Sequence, residues 1–156
     1  MLPAPHAHLI VPRLWLGDKE ASMDPEFLRR EGITSVFNCT KDLPFSPLVK
    51  RQFRVPVDDN LHADELENMR RWSPEIVAKV LQEHKQGQTV LVHCFAGKQR
   101  SAAVVAMSLV AKTRQSADAA MAYIRQRRPV AFFPQANFEP SIRGFETMFT
   151  SYRPAK

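Results

Sequence analysis

Nine consecutive residues hold the reactive groups of this chain: His93-Cys94-Phe95-Ala96-Gly97-Lys98-Gln99-Arg100-Ser101. Ahead of the cysteine, Thr89–His93 (TVLVH) is a run of β-formers of strand length, the pattern of a strand buried on both faces of a central sheet. After the arginine, the Ala/Val-rich stretch Ser101–Thr113 reads as a helix buried almost all round. A short loop that closes onto a helix N-terminus can turn its backbone N–H groups inward. Those donors and the helix dipole make a cradle for an anion. Gly97 supplies the backbone freedom that a tight loop demands. The same positive environment favours the thiolate of Cys94, the nucleophilic form. Arg100 offers a planar fork that can grip two phosphoryl oxygens. Ser101 can donate a hydrogen bond to the sulfur as it leaves. The chemistry indicated is phosphoryl transfer to sulfur. Cys94, Arg100 and Ser101 act on the reacting atoms, and the loop Phe95, Ala96, Gly97, Lys98, Gln99 and Arg100 binds the substrate. The plain alternative for Cys94 is a core cysteine ending a buried strand. Gly97, Arg100 and Ser101 at fixed offsets make that reading poor.

The pattern H-C-x5-R-S resembles the signature of the cysteine-dependent protein tyrosine phosphatases, and the rest of the chain is most similar to their dual-specificity branch. Leu14-Trp15-Leu16-Gly17 resembles an early segment of that branch. Gly32-Ile33-Thr34-Ser35-Val36-Phe37-Asn38 resembles one of its strands, and Val55-Pro56-Val57-Asp58-Asp59 the strand that ends at its general acid. Arg128-Pro129, Pro134-x-x-Asn137-Phe138 and Phe145-Glu146 resemble its C-terminal pattern. The resemblance implies a mechanism in which Cys94 attacks phosphorus and a carboxylic acid protonates the leaving oxygen. The same carboxylate then activates water against the thiophosphoryl intermediate. Aligned on Val-Pro-Val, the acid falls on Asp59, with Asp58 and Asp64 as alternatives. Asp59 lies 35 residues before Cys94, slightly more than is common in the branch, which places a small insertion between Asn60 and Trp72. His93 is expected to be buried with its ring bracing the loop. Asn38 is expected to hydrogen-bond the loop, or else to form a strand-end turn. Cys39 lies close enough in the expected sheet to form a protective disulfide with Cys94 on oxidation, with an inert core cysteine as the default.

Three functions compete. The first is a dual-specificity phosphatase acting on phosphotyrosine and phosphoserine/threonine in proteins, since a chain of this size has no room for loops that deepen a tyrosine-only pocket. The second is a phosphatase of a polyanion, a phosphoinositide or the 5′-triphosphate end of RNA. Lys98 suits it, but Phe95 stands where a second basic residue is usual. The third is a non-catalytic phosphate-binding module, disfavoured by the presence of Cys94, Arg100 and a candidate acid together.

The elements that position these groups follow from pattern. Leu9–Val11 and Leu14–Leu16 read as strands, Ile33–Asn38 and Phe53–Val57 as two more, and Leu43–Pro47 as loop. Asp24-Pro25-Glu26 is a capped helix start, and that helix ends at Gly32. Ser73-Pro74-Glu75 starts or re-enters a helix with one apolar face, closed by Gly87. Ser116–Arg127 and Asn137–Tyr152 are further helices. The expected fold is α/β, a central mixed, mostly parallel sheet flanked by helices, in a single catalytic domain over residues 1–156 with a flexible tail at 1–8.

The chain has 156 residues, 44% of them hydrophobic and 24% charged, which reads as globular. Two cysteines cannot build a disulfide framework. The longest apolar run, Ala102–Ala111 interrupted by Ser108, is far short of the roughly 20 residues of a membrane span. Pro3, Pro5, His6 and His8 stand where a signal peptide would be apolar. An intracellular protein, cytoplasmic or nuclear, is expected. No cofactor or metal is assigned, because His6 and His8 have no matching ligands nearby. Trp15, Trp72 and the ten phenylalanines read as core or groove wall. The net charge of +6 is uneven. Residues 1–97 hold 12 Lys/Arg and 13 Asp/Glu, whereas 98–156 hold 10 and 3. Part of the excess suits a phosphate site. The cluster Arg125, Arg127, Arg128 reads as a solvated basic surface or as a determinant of substrate choice.

Overall fold

Successive side chains of a strand point to opposite faces, so an unbroken apolar strand must be covered on both sides. A computed structural model, which describes residues 5–151, has this arrangement at the centre of its sheet. The strands are β1 (Ala7–Val11), β2 (Leu14–Gly17), β3 (Ser35–Asn38), β4 (Arg51–Arg54) and β5 (Val90–His93), ordered β1-β2-β5-β3-β4. Only β1 is antiparallel to its neighbour. On β5, Val90 and Val92 enter the larger core, under α3 (Ala63–Lys85), α4 (Arg100–Thr113), α5 (Ala117–Arg127) and α6 (Glu139–Ser151). Leu91 enters the smaller core on the other face, with Ala21 of α1 (Lys19–Met23) and Phe27 and Leu28 of α2 (Pro25–Arg30). Trp15 joins that core, packed edge-on against Phe27 with ring centres 5.2 Å apart. The expected α/β sandwich with a mixed, mostly parallel sheet is the observed fold.

Register matters most for function. Gly17 and Asn38 both sit level with His93, so three parallel strands end together and Cys94 is the first residue beyond the central one. That carboxyl edge is where open parallel sheets place ligands. Helix α4 leaves the same edge with every residue from Ser101 to Val110 buried.

Several elements differ from expectation. Strand β1 starts at Ala7 rather than Leu9, so Ala7 and His8 pair with Gly17 and Leu16 instead of belonging to a tail. Residues 1–4 of that expected tail lie outside the described residues, as does Tyr152, the last residue of the expected final helix. Strand β4 is Arg51–Arg54, not Phe53–Val57. Val55 N–H still bonds to the Asn38 carbonyl at 2.8 Å, but Pro56 has no N–H with which to continue the ladder. Helix α3 starts ten residues before Ser73 and runs through Pro74. The carbonyl that Pro74 leaves without an amide donor, that of Arg70, accepts a 2.7 Å bond from the Ser73 hydroxyl instead. The expected insertion between Asn60 and Trp72 is thus mostly helix. The short α1 was not expected; Asp18 caps it by accepting from Ala21 N–H at 3.0 Å.

A buried carboxylate ties this scaffold together. Glu83 on α3 is 3% exposed and accepts from Ser35 Oγ at 2.6 Å and from Arg51 Nε and Nη2 at 2.5 and 2.6 Å. The Arg51 fork, helped by Ser35, holds its carboxyl below the ordinary value of 4.5. A depressed folded-state value means that this stability is present above the ordinary value and is lost as pH falls through the depressed one. Glu83→Gln is therefore expected to lower Tm by several degrees at neutral pH and to cost little in acid. Thermal melts of both proteins at neutral pH and well below the ordinary carboxylate value check this. An equal Tm gap at both would contradict it.

Candidate active site

The segment between β5 and α4 is the loop 94–99. Its tightness is visible at Gly97, whose φ is +66° and where an added Cβ would lie 2.5 Å from the Gly17 carbonyl oxygen. The loop forms the floor of a hollow of about 320 Å³. Cys94 is 2% exposed, and its Sγ lies 3.1 Å from Ser101 Oγ in the first turn of α4. A larger groove of about 410 Å³ runs between β4 and α3, walled by Phe53, Val57, Trp72 and Ile76. It holds no nucleophile, so chemistry and not volume identifies the site.

Arg100 rises from the first position of α4. Its Nη1 donates to the Val57 carbonyl at 3.0 Å, which ties the segment leading to Asp58 and Asp59 to the loop. Its Nε is buried with no hydrogen-bond partner among the described residues. A buried, unpaired donor of a guanidinium is a site for an anionic oxygen, because leaving it unmet costs more than an ordinary lost bond.

The three candidate carboxylates separate in space. Asp59 lines the hollow, and its Oδ1 accepts from Asn137 Nδ2 at 2.9 Å. Asp58 is paired with Lys41 at 3.2 Å. Asp64 belongs to the first turn of α3, beside a different depression shared with Lys41 and Glu65.

The supporting residues divide. His93 is fully buried, and its Nδ1–H donates to the Cys94 carbonyl at 3.2 Å, at the start of the loop. Burial pushes its pKa down to about 4, and the ring is therefore neutral around physiological pH. Asn38 does not reach the 94–99 loop. Its Nδ2 donates to the Leu43 carbonyl at 2.8 Å and its Oδ1 accepts from Thr40 Oγ1 at 2.6 Å, which is the strand-end turn. Strand pairing to β5 uses its backbone and leaves the side chain to the turn that follows. Gln99 lines the hollow, but its side chain faces the 133–137 segment. It donates to the Gln135 carbonyl at 2.7 Å, and its Oε1 accepts from Asn137 N–H at 2.8 Å. Lys98 is half-buried, its carbonyl taken by Phe132 N–H at 2.8 Å. Phe95 and Phe133 stand at the rim, 55% and 64% exposed, with Lys19 Nζ 4.8 Å above the Phe95 ring centre. Cys39 and Cys94 are both free thiols. Burial, and then the charge of Cys94, push the Cys39 thiol far up, which keeps it protonated.

The arginine cluster divides: Arg125 and Arg127 are exposed, as a solvated basic surface would be, whereas Arg128 is not. Arg125 lies over the Phe132 ring at 5.2 Å and Arg127 donates to Tyr123 Oη at 2.8 Å. Arg128 is buried and bonds to the Ala96 and Gly97 carbonyls. Sequence reasoning missed the contributions of Arg128 and Asn137 to the site. Asn137 had been noticed only as part of a motif and Arg128 only in a motif and a charge cluster, and their partners lie 78 and 31 residues away.

The profile of the family described as dual specificity phosphatase, catalytic domain, matches residues 14–148. The chain belongs to that family. Its similarity to human dual specificity protein phosphatase 2 is 33% identity over 140 residues, covering 88% of this chain and 43% of that protein. Mouse dual specificity protein phosphatase 12 is 34% identical over 150 residues, covering 93% of this chain and 42% of that one. The chain thus spans less than half the length of these relatives. Among solved structures, human DUSP28 superposes with a TM-score of 0.77 at 29% identity, covering 96% of this chain and 97% of that one. PTPMT1 in complex with PI(5)P superposes at 0.76 with 21% identity, covering 94% and 98%, a likeness of fold. In this member of the dual-specificity family, the described residues contain no helix long and apolar enough to cross a membrane.

Proposed function

We propose that this domain hydrolyses phosphate monoesters of proteins, on tyrosine and on serine or threonine, through a phosphocysteine intermediate. The observation that carries the reading is the juxtaposition at the floor of one hollow. Cys94 Sγ lies 3.1 Å from Ser101 Oγ, the partnerless Arg100 Nε is buried beside the loop, and Asp59 stands on the wall. The Cys94 thiolate attacks phosphorus, forming the S–P bond as the bond to the leaving oxygen breaks. Arg100 and the loop N–H groups hold the non-bridging oxygens, whose charge they stabilise through the transition state. Asp59 in its acid form gives its proton to the leaving oxygen. As carboxylate it then takes a proton from water, which attacks the phosphocysteine and releases phosphate. Ser101 Oγ–H donates to Sγ as the thiolate departs.

Rates on phosphopeptides, an inositol phospholipid and 5′-triphosphate RNA, measured in parallel, test the substrate class. Phosphopeptides are expected to be turned over fastest. The exposed rim residues Phe95 and Phe133 suit the side chains flanking a phosphorylated residue better than they suit a polyanion. Faster lipid or RNA hydrolysis would replace the reading with the polyanion one.

Asn137 orients the proposed acid and is itself fixed by Gln99. Loss of one such bond is worth about 1 kcal/mol, so Asn137→Ala is expected to lower kcat roughly fivefold with KM little changed. Steady-state kinetics on a phosphotyrosine peptide check this, and an unchanged kcat would remove Asn137 from the account.

A further inference from the structure

Arg128 follows the last turn of α5 and is 2% exposed, yet it does not line the hollow. Its guanidinium reaches the loop from behind. Nε donates to the Gly97 carbonyl at 2.8 Å and Nη2 to the Ala96 carbonyl at 3.1 Å. Nη1 donates to the Pro5 carbonyl at 3.3 Å and to His8 Nδ1 at 2.9 Å. Gly97 is fitted to this contact, since a Cβ there would lie 2.8 Å from Nη2.

Two consequences follow from elementary geometry and charge. A trans peptide unit points its C=O and N–H in opposite directions. A fork that holds the Ala96 and Gly97 carbonyls from behind therefore turns the N–H groups of Gly97 and Lys98 the other way, toward the hollow. Further, the acceptors of Arg128 are carbonyls and a neutral ring nitrogen, and it forms no salt bridge among the described residues. A buried guanidinium with no contacting anion is costly to keep. Burial opposes its charge, whereas Asp18 and Cys94 favour it. The cation is thus stabilised in part by the nearby charges of Asp18, at the start of α1, and then of Cys94.

We propose that Arg128 is a positioning residue of the phosphate site, presetting the Gly97 and Lys98 N–H groups as oxyanion donors and placing a second buried positive charge behind the loop. The inference rests on the phosphate-monoester reading above. Inorganic phosphate is the probe, read as its protection of Cys94 from iodoacetamide by peptide mapping, which requires no turnover. Arg128→Lys keeps the charge but cannot hold two adjacent carbonyls, so protection is expected to need about tenfold more phosphate. Arg128→Gln is expected to need about a hundredfold more, with kcat/KM on an aryl phosphate falling in parallel. His8→Ala loosens the same clasp on the β1 side and is expected to stay within about twofold of wild type, although its melting temperature falls. Wild-type protection in Arg128→Lys would overturn the proposal. So would a loss in His8→Ala as large as in Arg128→Lys, which would make Arg128 a clasp of the fold alone. Should Arg128→Gln not fold, the comparison of Arg128→Lys with His8→Ala decides. Absence of protection in the wild type would instead sink the phosphate reading itself.

Discussion

Cys94→Ser is expected to hydrolyse p-nitrophenyl phosphate at least about 10⁴-fold more slowly than wild type, while still binding phosphate. A serine hydroxyl stays protonated at neutral pH, and no side chain at the floor of the hollow is placed to deprotonate it. His93 is its chain neighbour, but its ring is directed to the Cys94 carbonyl and its pKa is pushed down to about 4. The oxyanion donors survive the substitution, because Arg100 and the loop backbone do not depend on sulfur. Loss of turnover with retained phosphate affinity therefore separates a nucleophile from a structural cysteine, whose loss would disturb both. If wild type and Cys94→Ser were equally inert on the same substrate, the domain would be a phosphate-binding module rather than an enzyme.

Asp59→Asn is expected to lower kcat by about 10²–10⁴ on a phosphoserine or phosphothreonine peptide, whose alkoxide leaving group needs a proton. The loss in kcat/KM, which reports formation of the phosphocysteine, should be much smaller on p-nitrophenyl phosphate, whose phenolate leaves without one. Asparagine keeps the size of the side chain and the oxygen that accepts from Asn137 Nδ2, so the site's geometry is retained. Asp58→Asn and Asp64→Asn are the informative controls. Asp58 is held by Lys41, and Asp64 lies beside a separate depression on α3. Both variants should remain within a few-fold of wild type. A large loss in Asp58→Asn with none in Asp59→Asn would move the general acid by one residue.

The central strand, the tight loop and the buried helix after it were legible in the sequence, because each depends on local pattern: an unbroken β-forming run, one glycine, and an Ala/Val-rich stretch. Strand alignment at the carboxyl edge then brings Cys94, Arg100 and Ser101 together with little further information. The first ten residues of helix α3 were missed because Ser73-Pro74-Glu75 in isolation resembles a helix start. What carries the helix through Pro74 is a serine hydroxyl one residue earlier, bonded to the Arg70 carbonyl. Gln99 was assigned toward phosphate on its position in the loop, and its side chain is instead held by the 133–137 segment. Asn38 takes the second of its two expected places, the strand-end turn. Arg128 was the largest surprise. Charge in a sequence suggests solvent, and only the tertiary fold reveals that one member of a basic triplet is buried against carbonyls 31 and 32 residues away. The positive excess after residue 97 is therefore partly internal to the site.

The most direct measurement is a rapid acid quench of wild type during turnover of an aryl phosphate, followed by peptide mapping by mass spectrometry. The account predicts phosphate covalently attached to the peptide containing Cys94, lost when Cys94 is replaced by serine and accumulating further in Asp59→Asn. Turnover with no phosphate on Cys94 at any quench time, or with phosphate on a different residue, would contradict it.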